Sequence, residues 1–159
     1  MNKRRLVTKD SVKRLRKKLT DSQPAKPRWS RKNSKRTWCE QAVQDLLTEM
    51  KLPFDIEISL PFKLSWKFYD IGLTDYPILI EVDGDYWHGN KEKLSEEQRL
   101  NWMQMKNKQN DTLKNWVAKQ KGYTLIRIWE NDIKENPTAV RAKIRRVIRE
   151  VNSLKKEEE

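Results

Sequence analysis

The sequence predicts an α/β fold in which a mixed central sheet is flanked by helices and preceded by a basic N-terminal arm. Four segments have the apolar pattern of strands and three longer segments have apolar residues at helical spacing, in the order α-β-β-β-α-β-α. A long helical segment joins the third and fourth strands, and such a crossover allows these two strands to lie parallel. We therefore expect helices on both faces of the sheet.

The segment that follows Ser34 has the pattern of a first helix. Ser34 and Thr37 are candidate N-caps, because a hydroxyl at that position accepts a hydrogen bond from a free backbone N–H group. The apolar stripe recurs every three or four residues and comprises Trp38, Ala42, Val43, Leu46, Leu47 and Met50. Glu40 lies at the edge of this stripe.

Three strands are predicted next. Residues 54–60 (FDIEISL) alternate apolar and polar positions, which is typical of a half-buried strand. The side chains expected on its apolar side are Phe54, Ile56, Ile58 and Leu60. Residues 66–73 (WKFYDIGL) form a second strand and residues 76–84 (YPILIEVDG) a third that is apolar on both faces. Pro77 suits the start of the third strand, because it lacks the N–H group that a position within the sheet requires.

The remaining segments complete the predicted order. Residues 92–120 indicate one or two helices that end at Gly122 in the C′ position. Their expected buried stripe comprises Trp102, Met105, Leu113, Trp116 and Val117. Residues 123–130 predict a central fourth strand, and residues 136–154 a last helix with Asn136 as its cap and a proline in its first turn. The inward side chains of this helix are Val140, Ile144, Val147, Ile148 and Val151.

Charge divides the chain into an arm and a body. Residues 1–36 hold 15 Lys and Arg against two Asp, a balance of +13, which leaves −1 for residues 37–159 because the whole chain carries +12. We predict a basic arm or linker over 1–36, one folded domain over 37–154 and a charged tail over 155–159. Such an arm favours a polyanionic partner, although a solubilising tail is the alternative. A membrane-surface arm would need more bulky apolar residues.

Other functions are excluded by composition. The single cysteine, Cys39, allows no intramolecular disulfide, and together with the single histidine, His88, it leaves no ligand set for zinc. A metal would therefore bind to oxygen. No apolar run approaches the 18 residues of a membrane span, and no secretory signal is expected. We expect a cytoplasmic protein without a membrane partner.

Carboxylates interrupt the predicted sheet. Glu81 and Asp83 share one face of the third strand, and Asp70 shares parity with Trp66 and Phe68 on the second. If these strands pair, the three carboxylates converge at one end of the sheet, where they repel one another. A hard divalent cation removes that repulsion, and Mg²⁺ takes one or two carboxylates. This interpretation requires that the oxygens of Asp70 and Glu81 lie close together and are not neutralised by Arg or Lys.

Each carboxylate also has a simpler interpretation. Asp83 and Gly84 form a common turn dipeptide. Glu81 would otherwise need a buried cation, which Lys63 or Arg127 could supply.

The loop after the third strand contains a candidate base. A neutral imidazole at His88, a few residues beyond a metal ligand, is suited to accept a proton from an attacking water. The alternative is a structural histidine beside Tyr86 and Trp87, with these two rings folded over the end of the sheet.

The segments IEVDGDYWHG (80–89) and GYTLIRIWENDI (122–133), together with Asp70 and Asp111, resemble a known family. They look like the very short patch repair endonucleases and the related phage and intron homing endonucleases of the Glu-Asp-x-His-Asp (EDxHD) type. Both groups belong to the PD-(D/E)XK, or restriction-endonuclease-like, nuclease superfamily. The resemblance covers roughly residues 37–135 and implies the mixed sheet with flanking helices of that superfamily.

The resemblance implies a Mg²⁺-dependent endonuclease that hydrolyses phosphodiester bonds of double-stranded DNA. Its catalytic residues would be Glu40, Asp70, Glu81, Asp83, His88 and Asp111. The metal would be held by Asp70, Glu81 and the backbone carbonyl of Val82. Mn²⁺ is expected to substitute for Mg²⁺. His88 would activate the water, Asp111 would orient His88, and Glu40 would orient water in the outer shell of the metal.

Two departures from the repair enzymes favour the homing-type branch. Asp83 stands where those enzymes have a second histidine, and their structural zinc cannot form here. A mismatch-directed nicking enzyme remains the alternative, as does a nucleic-acid-binding protein that keeps the nuclease scaffold without turnover. An RNA-binding or ribosome-associated protein would leave the carboxylates without a common purpose. The protein would act as a monomer or as a homodimer assembled on DNA.

Asp111 is predicted to project from the polar side of its helix with Lys108, Lys114 and Asn115, about 160° from Leu113. An ordinary solvated face is the alternative.

DNA contacts are predicted from aromatic and basic residues. Tyr86, Trp87 and Trp102 would reach into the duplex, although Trp102 also suits the core. Phosphate contacts are expected from Arg31, Lys32, Lys35 and Arg36. Arg141, Arg145 and Arg149 on the last helix fit either phosphate contacts or a solvated face.

Overall fold

The computed structural model of the protein describes residues 37–63, 65–84 and 102–156. In chain order the elements are α1 (Trp38–Glu49), β1 (Phe54–Phe62), β2 (Ser65–Leu73), β3 (Ile78–Asp83), α2 (Trp102–Gln120), β4 (Thr124–Trp129), α3 (Glu130–Glu135) and α4 (Pro137–Lys156). The predicted order is confirmed except for α3. This helix has six residues of which only Ile133 is buried, so it is too short for an apolar stripe to reveal it.

The four strands form one mixed sheet in the order β1-β2-β3-β4. The β1–β2 and β2–β3 pairs are antiparallel, and β3 and β4 are parallel. The predicted parallel pair is therefore confirmed, and the chain returns through α2 between its two strands.

Helices cover both faces of this sheet, as predicted. The larger core lies between one face and α1, α3 and α4, and its fully buried members include Val43, Leu47, Ile71, Leu73, Ile78, Ile80, Ile128 and Ile144. The smaller core lies between the other face and α2, and it contains Leu60, Tyr69, Leu79, Val117, Ala118 and Tyr123. The protein is an α/β domain with a four-stranded mixed sheet between two helical layers.

Strand β1 changes faces at Glu57, and this contradicts the uniform alternation expected of residues 54–60. Phe54 packs against the larger core, whereas Ile58 and Leu60 belong to the smaller one. Glu57 has φ 53°, a left-handed conformation that disfavours a side chain and interrupts the two-residue period. The four apolar side chains therefore do not share one side.

Strand β2 changes faces at the same level. Tyr69 packs in the smaller core and Ile71 in the larger one, although residues two apart in a regular strand share a face. Asp70 lies at this switch. Its parity with Trp66 and Phe68 therefore does not fix the side to which its carboxylate points.

The helix ends agree with the predicted caps. Thr37 caps α1 through a capping box, Gly122 has φ 81° after α2, and Asn136 Oδ1 accepts a hydrogen bond from Ala139 N at 3.0 Å. The inward stripe of α4 is confirmed, since Val140, Ile144 and Val151 are buried and Val147 and Ile148 pack against the same core.

Three apolar residues expected in the core are exposed instead. Trp38 is 52% exposed, Met105 50% and Trp116 51%. The stripe that α1 buries is centred on Val43 and Leu47, so Trp38 lies beside it. On α2 the buried positions are limited mainly to Val117 and Ala118, because a polar side of the helix also faces the sheet. None of the helices within the described ranges is long and apolar enough to cross a membrane.

Candidate active site at the end of β3

The register of β2 and β3 brings two of the predicted carboxylates together. Ile71 pairs with Ile80 and Gly72 with Leu79, so Asp70 and Glu81 are the residues that follow the last pair on the two strands, and their charges interact. Asp70 Oδ2 accepts a hydrogen bond from the Val82 backbone N–H at 2.8 Å. The carboxylate of β2 is thus tied to the strand that carries Glu81.

Glu81 is a buried carboxylate with one engaged and one orphaned oxygen. Its residue is 4% exposed, and Lys114 Nζ donates to Oε2 at 2.5 Å. Oε1 is buried and has no hydrogen-bond partner among the described residues. Burial, followed by the charge of Asp70, raises the pKa of Glu81 to about 8, although Lys114 acts in the opposite direction.

Asp83 is neutralised by a guanidinium. Arg127 Nη1 donates to both of its oxygens, at 2.8 Å and 2.6 Å, and the Asp83 residue is 1% exposed. Arg127 projects from β4 directly beside Glu81 in the parallel ladder. The sequence had offered Lys63 or Arg127 as a partner for Glu81, but the structure pairs Glu81 with Lys114 and Asp83 with Arg127. The condition that Glu81 is not neutralised by a lysine or an arginine is therefore not met, because the Lys114 ammonium engages one of its two oxygens.

Arg127 also joins the sheet to α2. Its Nη2 contacts Asp111 Oδ1 at 3.2 Å and the Asp111 carbonyl at 3.4 Å, and its Nε donates to Asn115 Oδ1 at 3.2 Å. Burial acts to lower the pKa of Arg127, but the Asp83 and Asp111 carboxylates outweigh it and raise that pKa above its usual range.

The polar side of α2 is therefore a partly buried polar interface with the sheet and not an ordinary solvated face, although Asn115 is exposed. Lys114, Asp111 and Asn115 all lie on it, as predicted, yet each contacts a residue of the sheet. The polarity of a helix side predicts that this side faces solvent. A polar side can face the sheet instead when the opposing strand carries complementary charges.

Tyr69 contacts Lys114 through both its hydroxyl and its ring. The Tyr69 hydroxyl donates to the Lys114 carbonyl at 2.8 Å, and the Lys114 ammonium lies 5.3 Å from the Tyr69 ring centroid. Burial, with the charge of Glu81 next, raises the pKa of Tyr69, so this hydroxyl remains a donor at neutral pH.

Sequence reasoning missed Lys114 as a site residue and gave Arg127 the wrong partner. The signal for Arg127 was present, since a charge within the apolar strand LIRIW parallels the charge of Glu81 within LIEV. Lys114 lies only three residues after Asp111, but no pattern in the sequence distinguished it from the other lysines of α2.

Glu40 has a defined local role at the start of α1. Its backbone N–H donates to Thr37 Oγ1, and its Oε2 accepts from the Thr37 N–H, both at 3.3 Å. The carboxylate thus completes the capping box, and its predicted catalytic role stays a prediction. Several other predicted site residues lie outside the described part of the chain: His88, Tyr86, Trp87, Arg31, Lys32, Lys35, Arg36 and the side chain of Trp102.

The donor set at the end of β3 fits a hard divalent cation with few protein ligands. Within residues 37–63, 65–84 and 102–156, no three His, Cys, Asp or Glu side chains form a metal-binding group. Asp70 and Glu81 nevertheless supply two repelling carboxylates, and one buried Glu81 oxygen is unsatisfied. Mg²⁺ commonly binds through one or two carboxylates and keeps several waters, so Asp70 and Glu81 match the number of protein ligands that this ion needs, and the Val82 carbonyl as a further ligand stays a prediction.

Comparison with known proteins gives partial similarity. No protein-family model matches the chain. The type II nicking enzyme V.NmeDIP of Neisseria meningitidis serogroup C is 25% identical over an alignment of 103 residues, and the match covers 55% of this chain. The chain spans only 63% of that relative's length. Among solved structures, the homing endonuclease I-Bth0305I catalytic domain aligns with a TM-score of 0.46 and 22% identity, covering 69% of this chain and 92% of that domain.

Proposed function

We propose that the protein is a DNA endonuclease that hydrolyses phosphodiester bonds with the help of Mg²⁺. The observation that carries the proposal is the pair of carboxylates on neighbouring strands, Asp70 and Glu81, with a buried Glu81 oxygen that lacks a partner within the described ranges. A purely structural carboxylate would be expected to have both oxygens satisfied, because an orphaned buried acceptor costs on the order of 1–3 kcal/mol. Similarity to a nicking enzyme supports the same activity.

Three groups of this chain would hold the cation: the carboxylates of Asp70 and Glu81 and the carbonyl of Val82. A bound Mg²⁺ supplies Lewis-acid neutralisation of the charge that develops on the scissile phosphate. Lys114 keeps Glu81 Oε2 engaged, so we assign Oε1, which has no hydrogen-bond partner among the described residues, as the oxygen that would bind the ion.

The proton of the attacking water would pass to His88. Hydrolysis forms a bond between the water oxygen and phosphorus and breaks one P–O bond to the sugar, so a base must accept a proton from the water while the leaving sugar oxygen takes up a proton from solvent. Asp111 is the proposed partner of His88, and its Oδ1 and carbonyl are already held by Arg127. Arg127 would therefore fix the position of Asp111, while Glu40 would orient outer-shell water.

The finer assignment is a phage- or intron-associated homing-type enzyme that acts as a monomer or as a homodimer assembled on duplex DNA. A mismatch-directed nicking enzyme is the alternative and would catalyse the same hydrolysis. The relative V.NmeDIP is a nicking enzyme. The basic residues 1–36 support a long DNA contact.

A second candidate is a DNA-binding protein without turnover. The observation that favours it is the neutralisation of two site carboxylates, Glu81 by Lys114 and Asp83 by Arg127. Ion pairs of this kind satisfy the charges without any metal. Measurements of metal binding and cleavage distinguish the two candidates.

The decisive experiment compares the full chain with Asp70→Asn and with Asp55→Asn, a matched change of an exposed carboxylate on β1. Supercoiled plasmid and a library of random duplex sites are incubated with Mg²⁺, with Mn²⁺ or with EDTA. We expect metal-dependent nicks or breaks from the parent and from Asp55→Asn, and a loss of more than about 100-fold from Asp70→Asn, because each lost charge-stabilising group costs several kcal/mol in the transition state.

Calorimetric titration of Mn²⁺ provides the readout that does not depend on a target site. The parent should bind one ion per site, and Glu81→Gln should weaken that binding at least tenfold. A parent that binds DNA but neither binds Mn²⁺ nor cuts the library would support the second candidate and reject the first.

A further inference from the structure

An aromatic and basic cluster lies where the β1–β2 hairpin meets α2. The Phe62 and Trp116 rings pack edge to face, with centroids 5.8 Å apart and planes inclined by 78°. The Lys63 ammonium lies 5.4 Å from the Phe62 ring centroid. We call Phe62, Lys63 and Trp116 the aromatic tip.

The aromatic tip leaves much of its largest ring in solvent. Trp116 is half exposed, while Phe62 is partly buried against the smaller core. Phe62 thus packs against one side of the Trp116 ring and leaves the rest of it in solvent. An exposed indole that also packs on a second aromatic ring differs from an isolated apolar residue on the surface, which is common and needs no explanation.

The hairpin carries the aromatic tip to the same end of the sheet as the candidate active site. Ser65 pairs with Phe62 at the start of β2, five residues before Asp70, a distance of roughly 16 Å at about 3.3 Å per residue. Since β2 and β3 are antiparallel, the start of β2 and the end of β3 lie at the same end of the sheet. A stacked DNA strand covers roughly 16 Å in about five nucleotides.

The size and charge of the aromatic tip suit a nucleobase better than a protein. One half-exposed indole is far smaller than the roughly 800 Å² that each partner buries in a stable protein interface. Its π face matches the area of a base, and the adjacent ammonium matches a phosphate.

We propose that the aromatic tip stacks an unpaired DNA base through Trp116 and contacts a neighbouring phosphate through Lys63, a few nucleotides from the cleaved bond. The inference rests on the proposed function, which it deepens by naming a substrate with locally unstacked DNA. Unpaired bases expose the π face that a fully paired duplex hides.

The test measures binding of the full chain to two labelled duplexes by fluorescence anisotropy, in EDTA so that cleavage does not interfere. One duplex is fully paired and the other carries a single unpaired base. Trp116→Leu keeps an apolar side chain over Phe62 but removes the π face, and Trp116→Phe keeps a π face. Trp38→Leu is the matched control, because Trp38 is an equally exposed tryptophan on the helix that covers the opposite face.

We expect Trp116→Leu to weaken binding of the duplex with the unpaired base about tenfold, within the range for loss of one stacked base. Trp116→Phe should keep most of the affinity, and Trp38→Leu should match the parent. Lys63→Gly preserves the backbone, since Lys63 has φ 50°. It should reduce the slope of log affinity against log salt by about 0.9, whereas Trp116→Leu should leave that slope unchanged.

Several results would overturn the proposal. These are equal losses for Trp116→Leu and Trp38→Leu, no loss for either, or the same loss on both duplexes. Thermal unfolding of each variant identifies a folding defect, in which case Trp116→Phe against the parent decides. Failure of metal-dependent cleavage would reject the proposed function and leave these binding results intact, so the two failures are distinguishable.

Discussion

Replacing Arg127 with Met should cost about 3–5 kcal/mol of folding stability, the range for breaking a buried ion pair by removing one partner. Asp83 is almost completely buried and receives two hydrogen bonds from Arg127 Nη1. Without the guanidinium the carboxylate loses both donors and its counter-charge, and Asp111 loses its 3.2 Å contact as well. Methionine fills a similar volume, so the expected cost comes mainly from electrostatics and not from a cavity.

Urea unfolding followed by circular dichroism measures this cost. With a slope of about 1–3 kcal/mol per molar urea, a loss of about 3 kcal/mol moves the midpoint by roughly 1–3 M. Arg141→Met is the matched control: it removes the same side chain from the exposed pair with Glu49 on α4 and α1. Exposed pairs contribute about 0–1 kcal/mol, so its midpoint should change little.

The double variant Arg127→Met with Asp83→Leu separates the loss of charge balance from the loss of packing. Replacing both partners with apolar residues leaves no buried charge at this position, so much of the stability should return. A cost for Arg127→Met no larger than that for Arg141→Met would refute the reasoning, as would a double variant that is less stable than the single one.

Three further outcomes test the fold and the electrostatics. The folded-state pKa of Glu81, about 8, lies above its ordinary value of 4.5. The contribution of Glu81 to folding stability is therefore most favourable below about pH 4.5 and is lost as the pH rises to about 8. Glu81→Gln lacks this loss, so the stability of the variant relative to the parent should rise across that window by on the order of 1.4 kcal/mol per pH unit. Parallel pH profiles would contradict that. Glu57→Gly should stabilise the protein by up to about 1 kcal/mol in urea, because glycine adopts φ 53° without strain, whereas a lower midpoint would show that the side chain matters more. Ile144→Ala should lower folding stability by about 2–5 kcal/mol, because Ile144 is fully buried. Leu154→Ala should lower it by less than about 1 kcal/mol, because Leu154 is exposed. Equal shifts of the thermal unfolding midpoint for the two variants would contradict this prediction.

Local patterns were sufficient for most of the secondary structure. The predicted strands 54–60, 66–73 and 123–130 agree with β1, β2 and β4 to within two residues. Strong apolar periodicity, caps at Thr37 and Asn136 and the Gly122 stop are all properties of neighbouring residues, so the chain itself carries them. Helix α3 has no such signal in six residues.

The sequence was less informative about which apolar side chains are buried. The alternation of residues 54–60 predicts one apolar side only if the strand is regular. The left-handed φ at Glu57 instead divides these apolar side chains between the two cores. The sequence does not indicate this left-handed conformation, because position 57 is a glutamate and not the glycine that such a conformation favours. Trp38 and Trp116 were expected inside because of their chemistry, but each lies at the margin of the stripe that its helix buries.

By itself the sequence determined that carboxylates are set into a sheet at the positions of Asp70, Glu81 and Asp83, because a charge inside an apolar strand is visible without coordinates. Only the tertiary structure decided which cations meet them. Glu81 is joined to a lysine 33 residues away and Asp83 to an arginine 44 residues away, and contacts over such separations depend on the rotation of α2 and the register of β4. Periodicity within one element reports which side is polar, but it contains no information on the distance between two elements, and the charge balance of the site depends on that distance.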